Sequence, residues 1–224
     1  MFLFSTSIYP QNTRFLLSFL LFLICLNSYS QVAEWNPQVA TGKTSGVFNN
    51  LTDNSWFVAA NWNFTSGSTA SGVPDINTTV IIKDGTAPCY IPLQQTGPDV
   101  LPRALSITIE NNAGLYNTAG KNLTANTRFL EVAGDFTINS GGTYLGDSDE
   151  IRINGNFLNN GDFILKFATL LKIGGNYTNN GRISKETTFI GKLLTLDFNG
   201  STDQLITHNN SFDNTYIISE RQAF

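Results

Sequence analysis

The chain has 224 residues and a formal net charge of −4, from 13 lysines and arginines against 17 aspartates and glutamates. This mild acidity argues against nucleic acids and anionic membrane surfaces as partners, because few basic side chains are available to neutralise phosphates. A single histidine, His208, and two cysteines leave almost nothing from which to build a zinc site or a histidine-dependent catalytic triad, and no cofactor is predicted.

The composition predicts an all-β chain. Charged residues make up only 13% of the sequence, whereas long helices favour Ala, Leu, Glu, Lys and Arg. Asn, Thr, Gly and Ser instead separate short groups of β-branched and aromatic residues, a pattern typical of strands joined by tight turns.

Residues 1–30 have the features of a secretory signal peptide. Arg14 precedes the apolar run FLLSFLLFLICL, and the small residues Ser28 and Ser30 stand at the −3 and −1 positions of a cleavage site. The run is shorter than the roughly 20 apolar residues of a membrane-spanning helix, and an uncleaved anchor is the alternative. We therefore expect a secreted or cell-surface protein with no membrane contact beyond this segment. Cleavage leaves Cys89 as a lone thiol, so the mature fold has no internal disulfide.

Residues 31–79 contain all three tryptophans, Trp35, Trp56 and Trp62, and no clear repeat. The end of a stacked β-structure exposes unpaired strands and core side chains, so this segment is predicted to be an irregular N-terminal cap.

A near-repeat dominates the centre of the chain. The segments AGDFTINSGGTY, NGNFLNNGDF and GGNYTNNGRI align on Gly134, Gly155 and Gly175, which are 21 and 20 residues apart. Aliphatic residues stand two positions before each glycine and aromatic residues two positions after it: Val132, Ile153 and Ile173, and Phe136, Phe157 and Tyr177. This alternation indicates a strand with one buried face. An Asn-Gly-rich turn follows each aromatic residue, where both residue types tolerate left-handed backbone angles.

Two architectures fit this repeat: a meander, in which each turn closes a hairpin, and a β-solenoid, in which each repeat stacks in parallel on the previous one. Polar residues also recur at matching places, in the rows Asp135, Asn156 and Asn176, and Asn139, Asn160 and Asn180. Stacked Asn side chains can hydrogen-bond along the axis of an in-register stack, whereas a meander gains nothing from matched rows.

We therefore predict a right-handed parallel β-helix with coils of ~20 residues over residues 80–224. The segments VIIKDG, LSITIENNAG and LLTLDFNGSTDQLIT continue its strand-and-turn pattern, and TAPCYIPLQQTGPDVLPR is expected to bulge from the stack. The final residues, SFDNTYIISERQAF, carry no recognisable cap, which predicts that the chain is the front part of a longer protein.

The segment FVAANWNFTSGSTASGVPDINTTVIIKDG, together with the GNF-x-NNG repeats and LDFNGSTDQLI, resembles large secreted β-helix proteins of Bacteroidetes bacteria. The resemblance covers roughly residues 50–215. It implies an adhesin-like or surface-layer role and a C-terminal sorting domain, which is absent from this chain.

The sequence offers few groups for chemistry. Asp147, Asp149 and Glu150 lie in one glycine-flanked loop and could begin a calcium site, although calcium requires six to eight oxygen ligands. A solvated turn is the alternative. Trp56 and Trp62 are weak candidates for a sugar-stacking platform, with burial in the cap as the alternative.

No catalytic residues are predicted. A glycosidase needs two carboxyl groups about 5 to 10 Å apart, and the repeats place no two acids in one row. Asp162 matches Arg182 in the next repeat and predicts a surface ion pair. We expect a non-catalytic structural or adhesive module that binds extracellular glycans or cell-surface components weakly, and a polysaccharide lyase or hydrolase is the alternative.

Overall fold

The computed structural model describes residues 30–37, 54–92, 101–118, 129–147, 150–185 and 194–210, and the backbone of 216–219. Within these ranges the chain is all-β, and the three-residue 3-10 helix Ala59–Asn61 is the only helix. No helix in this part of the chain is long and apolar enough to cross a membrane. In chain order the described strands are β1 Gln31–Trp35, β2 Trp62–Ser66, β3 Thr78–Ile82, β4 Cys89–Ile91, β5 Arg103–Ala104, β6 Ser106–Ile109, β7 Gly114–Asn117, β8 Leu130–Val132, β9 Phe136–Ile138, β10 Thr143–Gly146, β11 Glu150–Ile153, β12 Phe157–Asn159, β13 Asp162–Leu165, β14 Thr169–Ile173, β15 Tyr177–Asn179, β16 Arg182–Lys185, β17 Leu194–Phe198, β18 Ile206–His208 and β19 Tyr216–Ser219.

The strands form three sheets. Sheet 1 has the order β18-β15-β12-β9-β6-β3-β1-β2, sheet 2 the order β16-β13-β10-β7-β4, and sheet 3 the order β19-β17-β14-β11-β8-β5. From β3 to β18, successive strands enter sheet 1, sheet 2 and sheet 3 in turn, so each strand pairs with the strand three places later. We call three successive strands, one from each sheet, a three-strand unit.

Strand pairing is parallel throughout the repeat region. The strands on either side of one Asn-Gly turn, β12 and β13, lie in different sheets and pair with β15 and β16 of the next unit. The meander alternative is therefore wrong, because no hairpin closes at these turns. Among the described strands, only β1 and β2 pair antiparallel.

The single strand predicted around each aligned glycine is in fact two strands. Leu130–Val132 is β8 of sheet 3 and Phe136–Ile138 is β9 of sheet 1, and the chain bends between them at residues 133–135. Both strands keep their apolar side chains in the core. Alternation with period two continued across the corner, which is why the sequence pattern did not reveal the bend.

At Gly161, in an Asn-Gly turn, and at Gly175, at a bend, glycine is required because a side chain would collide with the preceding unit, and not because the backbone angles are left-handed. A Cβ on Gly161 would lie 2.5 Å from the carbonyl oxygen of Asn139, and one on Gly175 would lie 2.6 Å from the carbonyl carbon of Gly155. Neither Gly161 nor Gly181 of the Asn-Gly turns has a positive φ, so the predicted reason for these glycines is wrong. Left-handed angles do occur at Gly141 of the first turn, with φ of 78°.

The core consists of columns of like residues in register. In sheet 3, Ile153 pairs with Val132 on one side and Ile173 on the other. In sheet 1, Phe157 lies between Phe136 and Tyr177, with ring centroids 6.0 and 5.5 Å away. All six residues are buried. Because each unit buries its apolar side chains against matching ones, the columns hold neighbouring units together.

The N-terminal end is closed by strands β1 and β2 and a tryptophan cluster. Trp62 packs edge-to-face against Trp35 and Trp56, at centroid distances of 4.9 and 5.0 Å. The Trp35 indole N–H donates to the carbonyl of Ala87 (2.6 Å), and the Trp62 indole N–H donates to that of Trp56 (2.7 Å). Antiparallel β2 is the outermost strand of sheet 1 at this end.

Part of the segment predicted to bulge belongs to the sheets. Cys89–Ile91 is β4 of sheet 2 and pairs with β7, while Arg103–Ala104 is β5 of sheet 3. Residues 93–100, between these strands, lie outside the described residues.

Candidate functional site

The three sheets present three chemically different outer faces. Alternate residues along most of the strands are buried, and successive residues of a strand point to opposite faces of its sheet. Because the strands are in register, outward residues of one type follow one another from unit to unit. Any ligand contacted along the length of the repeat region meets one of these faces.

The outer face of sheet 1 carries uncharged polar side chains in two rows. Thr137 pairs with Thr108 on one side and Leu158 on the other, and Leu158 pairs with Thr178, which pairs with Thr207. The second row lies at the start of each strand and includes Ser106, Asp135, Asn156 and Asn176. We call the outward residues of β6, β9, β12 and β15, with the residue preceding each of the last three, the polar face: Ser106, Thr108, Asp135, Thr137, Asn156, Leu158, Asn176 and Thr178.

The predicted row of Asp135, Asn156 and Asn176 is linked by hydrogen bonds. The Asn156 main-chain and side-chain N–H groups donate to Oδ1 of Asp135, at 2.7 and 3.1 Å. The main-chain N–H of Asn176 donates to Oδ1 of Asn156 (2.9 Å), and that of Leu205 donates to Oδ1 of Asn176 (2.8 Å). Each side chain thus caps an N–H group of the following unit, which fixes its orientation on the exposed surface.

The second predicted row follows the strands of sheet 1. Asn180 Nδ2 donates to Oδ1 of Asn160 (2.8 Å), and Asn209 Nδ2 donates to Oδ1 of Asn180 (2.6 Å). Asn139 occupies the same place one unit earlier, where its main-chain N–H donates to the carbonyl of Ile109 (2.9 Å). The row extends to Asn209, one unit further than the sequence pattern indicated.

A third row of amides lies inside the core and was missed from the sequence. Asn159 and Asn179 are fully buried, and Asn159 Nδ2 donates to Oδ1 of Asn179 (2.6 Å). The column continues to His208, whose Nδ1 lies 3.4 Å from Asn179 Nδ2. Burial lowers the pKa of His208, and a backbone hydrogen bond at Asn210 opposes this effect. The available signal was the first Asn of the Asn-Asn pair in FLNNG and YTNNG, which falls at an inward position of its strand.

The outer face of sheet 2 is apolar and covered at β7 and β10, and polar at β13 and β16, where Asp162, Arg182 and Ser184 face outward. Tyr116 and Leu145 face outward in register, yet are only 6% and 4% exposed. At the edge of this face the Tyr116 hydroxyl donates to Asp147, and Lys166 Nζ lies 3.1 Å from Asp147 and 3.2 Å from the Tyr116 hydroxyl. Burial, followed by the hydrogen bond to Asp147, raises the pKa of Tyr116 to about 12.

The outer face of sheet 3 carries charges that neutralise one another. Arg103 and Glu131 pair at 2.8 Å, and the buried Glu150 accepts from Arg152 at 2.7 Å and Lys172 at 3.1 Å. Because the carboxylates of Glu131 and Glu150 each have a basic partner, their charges are neutralised within this face and do not form a charged patch.

Asp147 and Glu150, the described residues of the predicted calcium loop, each pair with basic side chains. Asp147 pairs with Lys166, while Glu150 pairs with Arg152 and Lys172. Three basic side chains thus neutralise the two described carboxylates, and Asp149 lies outside the described residues. Elsewhere in the described ranges, no three His, Cys, Asp or Glu side chains form a group able to hold a metal ion.

Trp56 and Trp62 lie in the core, 0% and 7% exposed, so neither ring face is open to a sugar. Asp162 and Arg182 form the predicted surface ion pair at 2.8 Å. Cys89 is fully buried at an inward position of β4, and burial raises the pKa of its thiol well above the ordinary value. A buried, protonated thiol is unreactive.

Comparison of the chain with protein-family models, with curated proteins and with solved structures finds no match in any of the three.

Proposed function

We propose that the protein is a secreted, non-catalytic structural or adhesive surface module built as a right-handed parallel β-helix. The observation that supports this architecture is the in-register parallel stacking of like on like, as in the column of Val132, Ile153 and Ile173. Right-handed crossovers between parallel strands are the strongly preferred arrangement. The resemblance to secreted β-helix proteins of Bacteroidetes bacteria belongs to this proposal and suggests a place at the cell surface.

Such a module acts by extending and displaying polar surfaces. Each added unit lengthens the stack by about 4.8 Å, and the rows of Asn and Thr repeat with it. Many weak polar contacts, repeated at fixed spacing, combine into useful avidity for a repetitive partner. Extracellular glycans are such partners, because their hydroxyl groups recur along the chain.

A glycan array probed with the purified protein in multivalent form tests this function. We expect binding to a subset of extended glycans, lost when the glycan is shortened to a monosaccharide. No binding to any glycan would contradict the adhesive role. Depolymerisation of pectin or alginate by the purified protein would contradict the non-catalytic assignment and favour a polysaccharide-degrading enzyme.

A further inference from the structure

The polar face of sheet 1 is the outer face best suited to a neutral ligand. On sheet 2, the outward Tyr116 and Leu145 are buried, and the outward Asp162 and Arg182 form an ion pair at 2.8 Å. On sheet 3, ion pairs of 2.7 to 3.1 Å join Arg103 to Glu131 and join Arg152 and Lys172 to Glu150. Along β6, β9, β12 and β15, by contrast, the outward positions other than Leu158 hold hydroxyl, amide or carboxylate groups, and Asp135 is the one charged residue among these described positions.

The groups of this face are ordered before any ligand binds. Asn156 and Asn176 are held by hydrogen bonds of 2.7 to 3.1 Å between neighbouring units. Thr137 and Thr178 are β-branched, which restricts their χ1 angles. Side chains that are already fixed lose little conformational entropy when they bind, and this raises the affinity available from weak polar contacts.

The spacing of the face determines the shape of its ligand. Neighbouring strands repeat every ~4.8 Å along the stack, and the two rows lie about 7 Å apart because they are separated by two residues along each strand. One step along the stack is close to the length of one sugar unit in an extended β-linked chain. A chain lying perpendicular to the strands would therefore meet a polar side chain of one row at each unit, and a threonine of the other row at each unit except that of Leu158.

We infer that the polar face binds a single extended chain of a neutral β-linked polysaccharide, aligned with the stack axis. The inference rests on the proposed adhesive function and names its surface and ligand class. Neutral polymers are favoured over anionic ones because the protein carries a net charge of −4 and the face has no basic residue to pair with a carboxylate or sulfate. The row ends at the exposed Leu205, which is 65% exposed and offers no polar group to the ligand.

The test measures binding of cello-oligosaccharides, from the disaccharide to the octasaccharide, by isothermal titration calorimetry. The variant T137A/T178A removes two hydroxyl groups from the polar face. The matched control S184A/T195A removes two hydroxyl groups from outward positions of sheets 2 and 3. Circular dichroism verifies that both variants keep the fold of the unmodified protein.

We expect affinity to rise with each sugar unit up to about the number of strands in the face, and T137A/T178A to bind roughly tenfold more weakly, the effect of losing two neutral hydrogen bonds. The control should bind like the unmodified protein. Equal affinities for T137A/T178A and the unmodified protein would overturn the inference while leaving the adhesive function intact, as would affinity that stops rising after the disaccharide or binding restricted to anionic alginate. Failure of the unmodified protein to bind any glycan, neutral or anionic, would instead refute the proposed function itself.

Discussion

Replacing the buried Asn159 by alanine should destabilise the protein far more than replacing its exposed neighbour Asn160. Without Asn159, Oδ1 of Asn179 loses its 2.6 Å donor and the main-chain N–H of Gly161 loses its 3.1 Å acceptor. Both groups are buried, and each unsatisfied buried polar group costs about 1–3 kcal/mol. The expected loss is therefore about 4 kcal/mol in the free energy of unfolding, the middle of the summed range.

The control N160A removes a hydrogen bond of the same type at the surface. Asn180 Nδ2, which donates to Oδ1 of Asn160 at 2.8 Å, is exposed and can bind water instead. We expect a loss below about 1 kcal/mol for this variant. The double variant N159L/N179L should be more stable than N159A, because it leaves neither amide of the buried pair without its partner.

Urea unfolding followed by circular dichroism measures these differences, with the slope of free energy against urea compared between variants. If N159A and N160A lose the same free energy at equal slope, the inner amides are reached by water, and the reasoning from buried unsatisfied groups is refuted. If N159L/N179L is the least stable variant, the amide pair contributes more stability than its apolar replacement. The expectation that removing both buried partners costs less than removing one is then refuted.

Three further predictions concern the corners, the last strand and the edge of sheet 2. G161A should lose at least about 2 kcal/mol of stability in urea unfolding, because its Cβ would lie 2.5 Å from the Asn139 carbonyl oxygen; a neutral effect would show that the corner can widen. Burial lowers the pKa of His208 in the folded state below its unfolded value of 6.5. Below that pH the unfolded chain takes up a proton at His208 more readily than the folded one, so the free energy of unfolding decreases as the pH falls. Thermal melting should therefore drop between about pH 7.5 and pH 5 less steeply for H208N than for the unmodified protein, and equal slopes would contradict the assignment. Because the pKa of Tyr116 is raised from 10.0 to about 12, its neutral form is favoured in the folded state and stability falls as the pH rises between these values. Absorbance titration of the folded protein should show less tyrosine ionisation near pH 12 in Y116F than in the unmodified protein, and identical titrations would contradict the assignment.

The sequence identified the strands more reliably than their arrangement into sheets. The aromatic and aliphatic positions of the repeat predicted which side chains are buried, because inward positions of a strand alternate with outward ones. The bend at Gly134 could not be read in the same way. An inward residue on each side of a corner preserves the period-two pattern, and the chain was therefore interpreted as one strand where it makes two.

The local sequence does not distinguish the buried amides from the exposed ones. Asn159 and Asn160 are adjacent and identical, and local sequence does not indicate that one is fully buried while the other is partly exposed. Their difference depends on the strand register, which places Asn159 in the column that begins with isoleucines at Ile82 and Ile109. The polar face was likewise unpredicted as a unit, because its rows come from strands about twenty or more residues apart and meet only through parallel pairing.

The hydrogen bonds of the surface amide rows all point the same way along the stack, so the two sides of each unit differ chemically. In both rows the later unit supplies the N–H donors and the earlier unit supplies the acceptor oxygens, as where Asn180 donates to Asn160 and Asn209 to Asn180. In these rows each unit therefore presents acceptor oxygens to the unit that follows it in the sequence. The buried pair runs the opposite way, because Asn159 of the earlier unit donates to Asn179 of the later one. A further repeat stacked in register would thus have to offer N–H donors at the surface and an acceptor in the core.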